Sequence, residues 1–281
     1  LTGKGTVERT SASPAFDVHT DELVEFAGLR FVGNGIRAQP ESRVLIDRVD
    51  AFAIRNGRWL EIDDAWVSVT RTTIVDWDGF DALAIDFDGG TLFVDALTTS
   101  LEGPITSLGF PGIALRVGDG NATVGSSTLV GGRLINDAGG GTLTVRNSII
   151  DEDCEGEITS GGGNVGFSAS GCSLTDPADR IEARSWPFDV EIADNGGDVR
   201  TYALDSSHPA VDQASTSGCS LTGTDARGVD RPIGPACDAG AYELDVGIDC
   251  GAPGPGADLR NCDFEGADLV GIDLTGADLT L

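Results

Sequence analysis

The residues best suited to chemistry are carboxylates, and they crowd into one short stretch. Asp76-Trp77-Asp78-Gly79-Phe80-Asp81 is followed closely by Asp86-Phe87-Asp88-Gly89. Alternating Asp in a strand-and-turn context sets oxygens along one side of a loop. That arrangement suits Ca2+, which takes roughly six to eight oxygen ligands. Asp76, Asp78, Asp81, Asp86 and Asp88 are therefore the expected ion ligands, with Ca2+ the expected ion. The EF-hand template is not met, because no Glu closes the loop. The plainer account of the same residues is a solvated acidic face of one structural repeat.

Paired carboxylates roughly 5–9 Å apart also serve glycoside hydrolysis. A polysaccharide-cleaving or polysaccharide-binding groove is accordingly the alternative to a non-catalytic role. A lyase needs cations to neutralise a uronate and a Lys or Arg base, and only 18 basic residues stand against 46 acidic ones. The resulting charge of −28 repels a polyuronate. Trp59, Trp66 and Trp77 could stack on sugar rings, although packing explains aromatic residues in such a chain equally well. His19 and His208 have no Ser, Cys or Asp pattern beside them that would make a nucleophilic triad. Catalytic residues are thus not assigned.

The charge bounds the partners as well. A surface this acidic repels nucleic acid phosphate and anionic lipid, so neither is expected to bind. No apolar run is long enough to span a bilayer. The chain opens on Leu1, with no visible signal peptide; we expect a secreted chain whose signal has been removed. The six cysteines agree with an oxidising, extracytoplasmic compartment. Many connectivities are open to six cysteines; chain proximity pairs Cys154 with Cys172, Cys219 with Cys237 and Cys250 with Cys262. No Cys-x-x-Cys occurs, which argues against zinc.

Forty Gly and 11 Pro indicate frequent turns, and few segments hold a helical period, which favours β-structure with many corners. One template recurs six times: Val24-Phe26-Leu29-Phe31, Val44-Ile46-Val49-Ala51, Val67-Val69-Thr72-Ile74, Leu92-Val94-Leu97-Thr99, Ala122-Val124-Ser127-Leu129 and Leu143-Val145-Ser148-Ile150. Each copy alternates, bends over small or polar residues such as Asp47-Arg48, Ser126-Ser127 and Asn147-Ser148, and alternates again. Copies at this spacing predict stacked rungs of a right-handed parallel β-helix, a β-solenoid, with the template residues inward. A sandwich of short antiparallel strands is the competing architecture. Thr70, Thr72 and Thr73 do not recur at matching places, so a flat ice-binding Thr array is not expected.

From Gly256 a shorter period takes over: GADLR-NCDFE-GADLV-GIDLT-GADLT-L. Leu259, Phe264, Leu269, Leu274 and Leu279 share one position, Ala257, Cys262, Ala267, Ile272 and Ala277 another, and an Asp stands between them each time. This stretch resembles the pentapeptide-repeat family, which implies a four-sided β-helical coil. The Asp residues are expected to point outward and bond turn amides, which accounts for them without a ligand. DNA mimicry by an acidic column, as in some of that family, is a poor match for a single coil.

A second resemblance covers about 100 residues. DCEGEITSGGGNVGFSASGC, ADNGGDVRTYALDSSHPAVDQAS and CSLTGTDARGVDRPIGPACDAGAYEL look like the C-terminal region of secreted right-handed β-helix proteins of the choice-of-anchor Q type. The matching residues are Asn195, Gly196, Gly197, Thr201, Ala203, Leu204, Pro209, Ala210, Val211 and Asp212, then Asp225, Arg227, Gly228, Arg231, Pro232, Cys237, Asp238, Gly240, Ala241, Tyr242 and Glu243. His208 and Gln213-Ala214 depart from the pattern, and pentapeptide repeats stand where a sorting motif would follow. The resemblance implies a prokaryotic surface or secreted protein and a fold, without a reaction. The sequon at Asn121-Ala122-Thr123 then reads as chance. The expected organisation is rungs over 1–150, a disulfide-stapled continuation over 151–250 and a pentapeptide coil over 251–281. Both ends read as lacking caps, which predicts end-to-end self-association into a filament or matrix.

Overall fold

The computed structural model describes residues 2–9, 14–33, 35–52, 58–75, 83–101, 112–137, 140–167, 170–182, 191–215, 219–245, 254 and 271–277. Within them the chain winds as an all-β solenoid with three strand columns. The first face stacks β2 (Phe16–Val18), β4 (Ile36–Ala38), the starts of β7 (Arg58–Val75) and β8 (Leu83–Ser100), β9 (Gly112–Val117), β12 (Gly132–Asn136) and β15 (Cys154–Glu155). The second stacks the start of β3 (Leu23–Gly33), β5 (Arg43–Asp47), the middles of β7 and β8, β10 (Asn121–Gly125), β13 (Thr142–Arg146) and β16 (Thr159–Ser160). The third stacks the end of β3, β6 (Asp50–Phe52), the ends of β7 and β8, β11 (Thr128–Val130), β14 (Ile149–Ile150), β17 (Val165–Phe167) and β18 (Arg180–Glu182). β1 (Thr2–Arg9) lies beneath β3, with Val7 opposite Phe31. These ladders are all parallel. Antiparallel pairing among the described residues is confined to the isolated bridges Ala193–Thr201 and Thr224–Asp230, so the sandwich alternative fails.

The sixfold template marks the inner columns. Phe26, Ile46, Val69, Val94, Val124 and Val145 lie in register, as do Phe31, Ala51, Ile74, Thr99, Leu129 and Ile150. All of them are buried. Inward residues alternate with outward ones because successive side chains in a strand point to opposite faces. The first face contributes a further inner column, Ile36, Leu60, Ile85, Leu115 and Leu134. The rings of Phe16, Phe26, Phe31 and Trp59 pack on one another within this core, with centroids 5.0–6.5 Å apart.

Between the second and third faces the chain turns through a left-handed residue on each rung. Arg48, Arg71, Ala96, Ser126 and Asn147 have φ between 44° and 55°. Such a residue costs about 1–2 kcal/mol, and neighbouring side chains offset it by holding the corner. Ser127 Oγ donates to Gly125 O and accepts from Leu97 N; Ser148 Oγ donates to Arg146 O and accepts from Ser127 N. Asn164 continues this internal ladder, taking Ser148 N and giving its amide to Val145 O.

The solenoid runs on past residue 150 through β15–β18. Residues 191–245 then leave the ladder, because their Gly, Pro and charged residues do not alternate as strands do. This lateral segment runs along the corner and the third face. Val199, Ala226 and Ala241 pack on Ala96, while Tyr202, Leu204, Ala210 and Ala239 pack on Val130, Ile149, Val165 and Phe167.

Candidate functional site

On the outside of the first face, stacking brings charges from distant rungs into one column. Arg37, Glu61, Asp86 and Arg116 are consecutive register partners. Glu61 accepts from Arg37 Nε and, at 2.7 Å, from Arg58 Nη1. Asp86 Oδ2 lies 2.8 Å from Arg58 Nε and Asp86 Oδ1 3.1 Å from Arg116 Nη1; Arg116 also reaches Asp137 at 2.6 Å. Arg37, Arg58, Glu61 and Asp86, with Gln39, Asp63 and Asp88, line a groove of about 390 Å3. Burial pushes the Glu61 carboxyl upward, but the hydrogen bonds and charges of Arg37 and Arg58 outweigh it and leave the group below its usual range. For Asp86 burial wins over Arg58 and Arg116, and the carboxyl sits above its usual range. Two neighbouring carboxyls are thus pushed apart in acidity, a pattern also found at acid–base sites. Here each is already bracketed by guanidinium groups.

The five expected Ca2+ ligands divide. Asp76, Asp78 and Asp81 lie outside the described residues. Both Asp86 oxygens face arginines, and Asp88 is exposed beside the groove. Among the described residues no group of three or more His, Cys, Asp or Glu is placed to hold a metal. Trp59 is a core residue, fully buried against Phe31. Trp66 faces outward beside Phe93 and Arg43, and Trp77 lies outside the described residues. His19 is exposed 3.3 Å from Asp17, and buried His208 packs on Phe167 with Nδ1 accepting from Ala210 N.

The second constellation is buried beneath and within the lateral segment, and it consists of the residues quoted for the longer resemblance. Asp225 accepts from the amides of Arg227, Val229 and Glu243 and from Arg227 Nε. Glu243 accepts from the amides of Ile233 and Asp238, and Asp238 from those of Asp212 and Leu244. Arg231, its side chain 0% exposed, donates to Asp238 O and Gly240 O and lies 3.6 Å from Glu243. These polar side chains fold a loop whose backbone has no strand ladder to satisfy it. The segment is tied to the rungs by Arg48–Asp198 at 3.2 Å, Arg200–Asp50 at 2.9 Å, Leu221 N to Asp95, Tyr202 Oη to Ser100, and Ala241 N to Thr128.

Cys154–Cys172 and Cys219–Cys237 are disulfides, while Cys250 and Cys262 lie outside the described residues. No helix among the described residues is long and apolar enough to cross a membrane. In the tail, Ile272 and Leu274 are half-buried and Asp273 is exposed, its carboxylate accepting from Thr275 N at 2.9 Å. The Asp-to-turn-amide bond expected of the five-residue period is present there. Residues 255–280 match the pentapeptide repeats family. The pentapeptide-repeat model (8 copies) covers that tail alone. No curated protein and no solved structure matches the chain.

The ladder of Arg37, Glu61, Asp86 and Arg116 was missed in the sequence. Its signal exists only once the rungs are aligned, because these residues are 24, 25 and 30 positions apart.

Proposed function

We propose that this chain is a non-catalytic extracellular scaffold whose solenoid stacks end to end on another copy. One observation carries this. Among the described residues the last strand of the third face, β18, is bonded on one side only, to β17. Ile181 continues the inner column of Phe31 and Ile150, yet it is 52% exposed. An unpaired parallel edge with an apolar cross-section is a template for another strand. In register, Ile181 of one copy would meet Val7 of the next. Repeated, this contact does not close and yields a filament. The two disulfides support an oxidising location, in keeping with the secreted, choice-of-anchor Q resemblance. Sedimentation velocity of the wild type and of Ile181→Lys tests this: association that weakens in the variant is expected, and equal monomers in both would refute it.

A second reading rests on the first-face groove. Its guanidinium–carboxylate array suits hydrogen bonding to sugar hydroxyls, so a polysaccharide would lie along the rungs. Calorimetric titration with neutral oligosaccharides, which should give heat in the wild type and none in Glu61→Ala, tests it. Ca2+ remains a proposal for Asp88 with Asp76, Asp78 and Asp81. Added Ca2+ should then raise the melting temperature and chelator should lower it.

A further inference from the structure

Four carboxylates and two guanidinium groups are shut away together where the lateral segment meets β8: Asp95, Asp225, Asp238, Glu243, Arg227 and Arg231. Fully ionised, the set carries four negative charges against two positive ones. An uncompensated charge away from water costs several kcal/mol, so a site of this kind takes up a proton instead. The hydrogen bonds identify its place. Asp225 and Glu243 each receive amide donors on both oxygens, and so does Asp238. Asp95 accepts from Leu221 N through Oδ2 at 2.9 Å, whereas its buried Oδ1 has no hydrogen-bond partner.

We propose that in mild acid Asp95 keeps a proton while the lateral segment is docked and gives it up toward neutral pH, so that the segment is held more tightly in mild acid than at neutral pH. The neighbours on every side are consistent with this. Asp95 belongs to the column Asp47, Thr70, Asp95, Gly125, Arg146. On one side Thr70 separates it from Asp47, which is already held by Arg48 and Arg71. On the other side Gly125 brings no charge, but Arg146, one rung further, reaches back over it: a Cβ at Gly125 would lie 3.1 Å from Asp95 Oδ1 and 3.5 Å from Arg146 Nε. From the segment come Arg231 and the amides of Leu221 and Thr222, with Asp225, Asp238 and Glu243 behind them. Burial is the largest influence and pushes the Asp95 carboxyl from 3.8 to about 6, against the pull of Leu221, Arg231, Thr222 and Arg146. Burial also raises Asp238 and Glu243, in the same sense.

The sign follows directly. An aspartate raised in the docked state binds more protons docked than undocked between about pH 4 and pH 6. Docking is therefore undiminished below that window and weakens as pH rises through it. The test is the titration of the Asp95 carboxyl carbon by NMR, with amide hydrogen exchange at Leu221, Ala226 and Ala241. A midpoint near 6 is expected, with an opening constant for those amides, corrected for intrinsic exchange, that rises about tenfold from pH 5 to pH 7.5. Asp95→Asn, a neutral isostere, should remove most of that rise. An ordinary midpoint near 4, or an unchanged rise in the Asn variant, would overturn the proposal. If the variant does not fold, the wild-type titration decides alone.

Discussion

Arg231, one of the residues that carry the longer resemblance, holds its own loop together. Its guanidinium spans Asp238 O and Gly240 O and faces Glu243, closing the loop between Cys219 and Cys237. Arg231→Ala leaves buried carboxylates without their cation, and we expect a loss of about 3–5 kcal/mol. Urea unfolding checks this; a loss below about 1 kcal/mol would contradict the role. The pattern of Asp225, Arg227, Arg231, Asp238 and Glu243 was legible in the sequence, but its role was not. Their partners are backbone amides and carbonyls, and no residue-type motif records which amides a loop leaves unpaired. The same limit applies to Asp95. It reads as an ordinary outward polar residue of a strand until the lateral segment covers it.

At the scale of elements, the rungs were the legible part. The template copies pair in the register their spacing implies, since inward apolar residues must stack on one another whatever loops intervene. Leu92, packed between Val67 and Ala122, is one such knot. Leu92→Ala should cost about 2–5 kcal/mol, measured by the shift of the denaturation midpoint. The first face escaped notice because its distance from the template varies: Ile36 precedes Val44 by 8 residues, and Leu60 precedes Val67 by 7. The end of the described ladder at β18 had no sequence signal apart from denser Pro, four in residues 183–245 against five in residues 1–182. For the lateral segment, Cys219→Ser with Cys237→Ser should lower stability by about 3 kcal/mol, given the 18-residue separation. Faster hydrogen exchange confined to residues 219–245, with the rungs unaffected, is the expected signature.

For the molecule as a whole, carboxylates pull stability in two directions. Asp47 is buried, which raises it, yet Arg71, Thr70 and Arg48 hold it below its usual range; Glu61 is likewise held down by Arg37 and Arg58. Their contribution is present above the unfolded pKa and is lost as pH falls through the folded value. Asp95, Asp238 and Glu243 act oppositely, losing stability as pH rises. The melting temperature should therefore peak in mild acid, and a maximum at or above pH 8 would contradict this balance. The net charge of −28 limits association at low salt, so assembly should strengthen as salt screens it. Negative-stain electron microscopy of the purified chain at physiological salt tests the scaffold most directly. The account predicts rods of uniform width that lengthen with protein concentration, whereas discrete single particles at every concentration would contradict it.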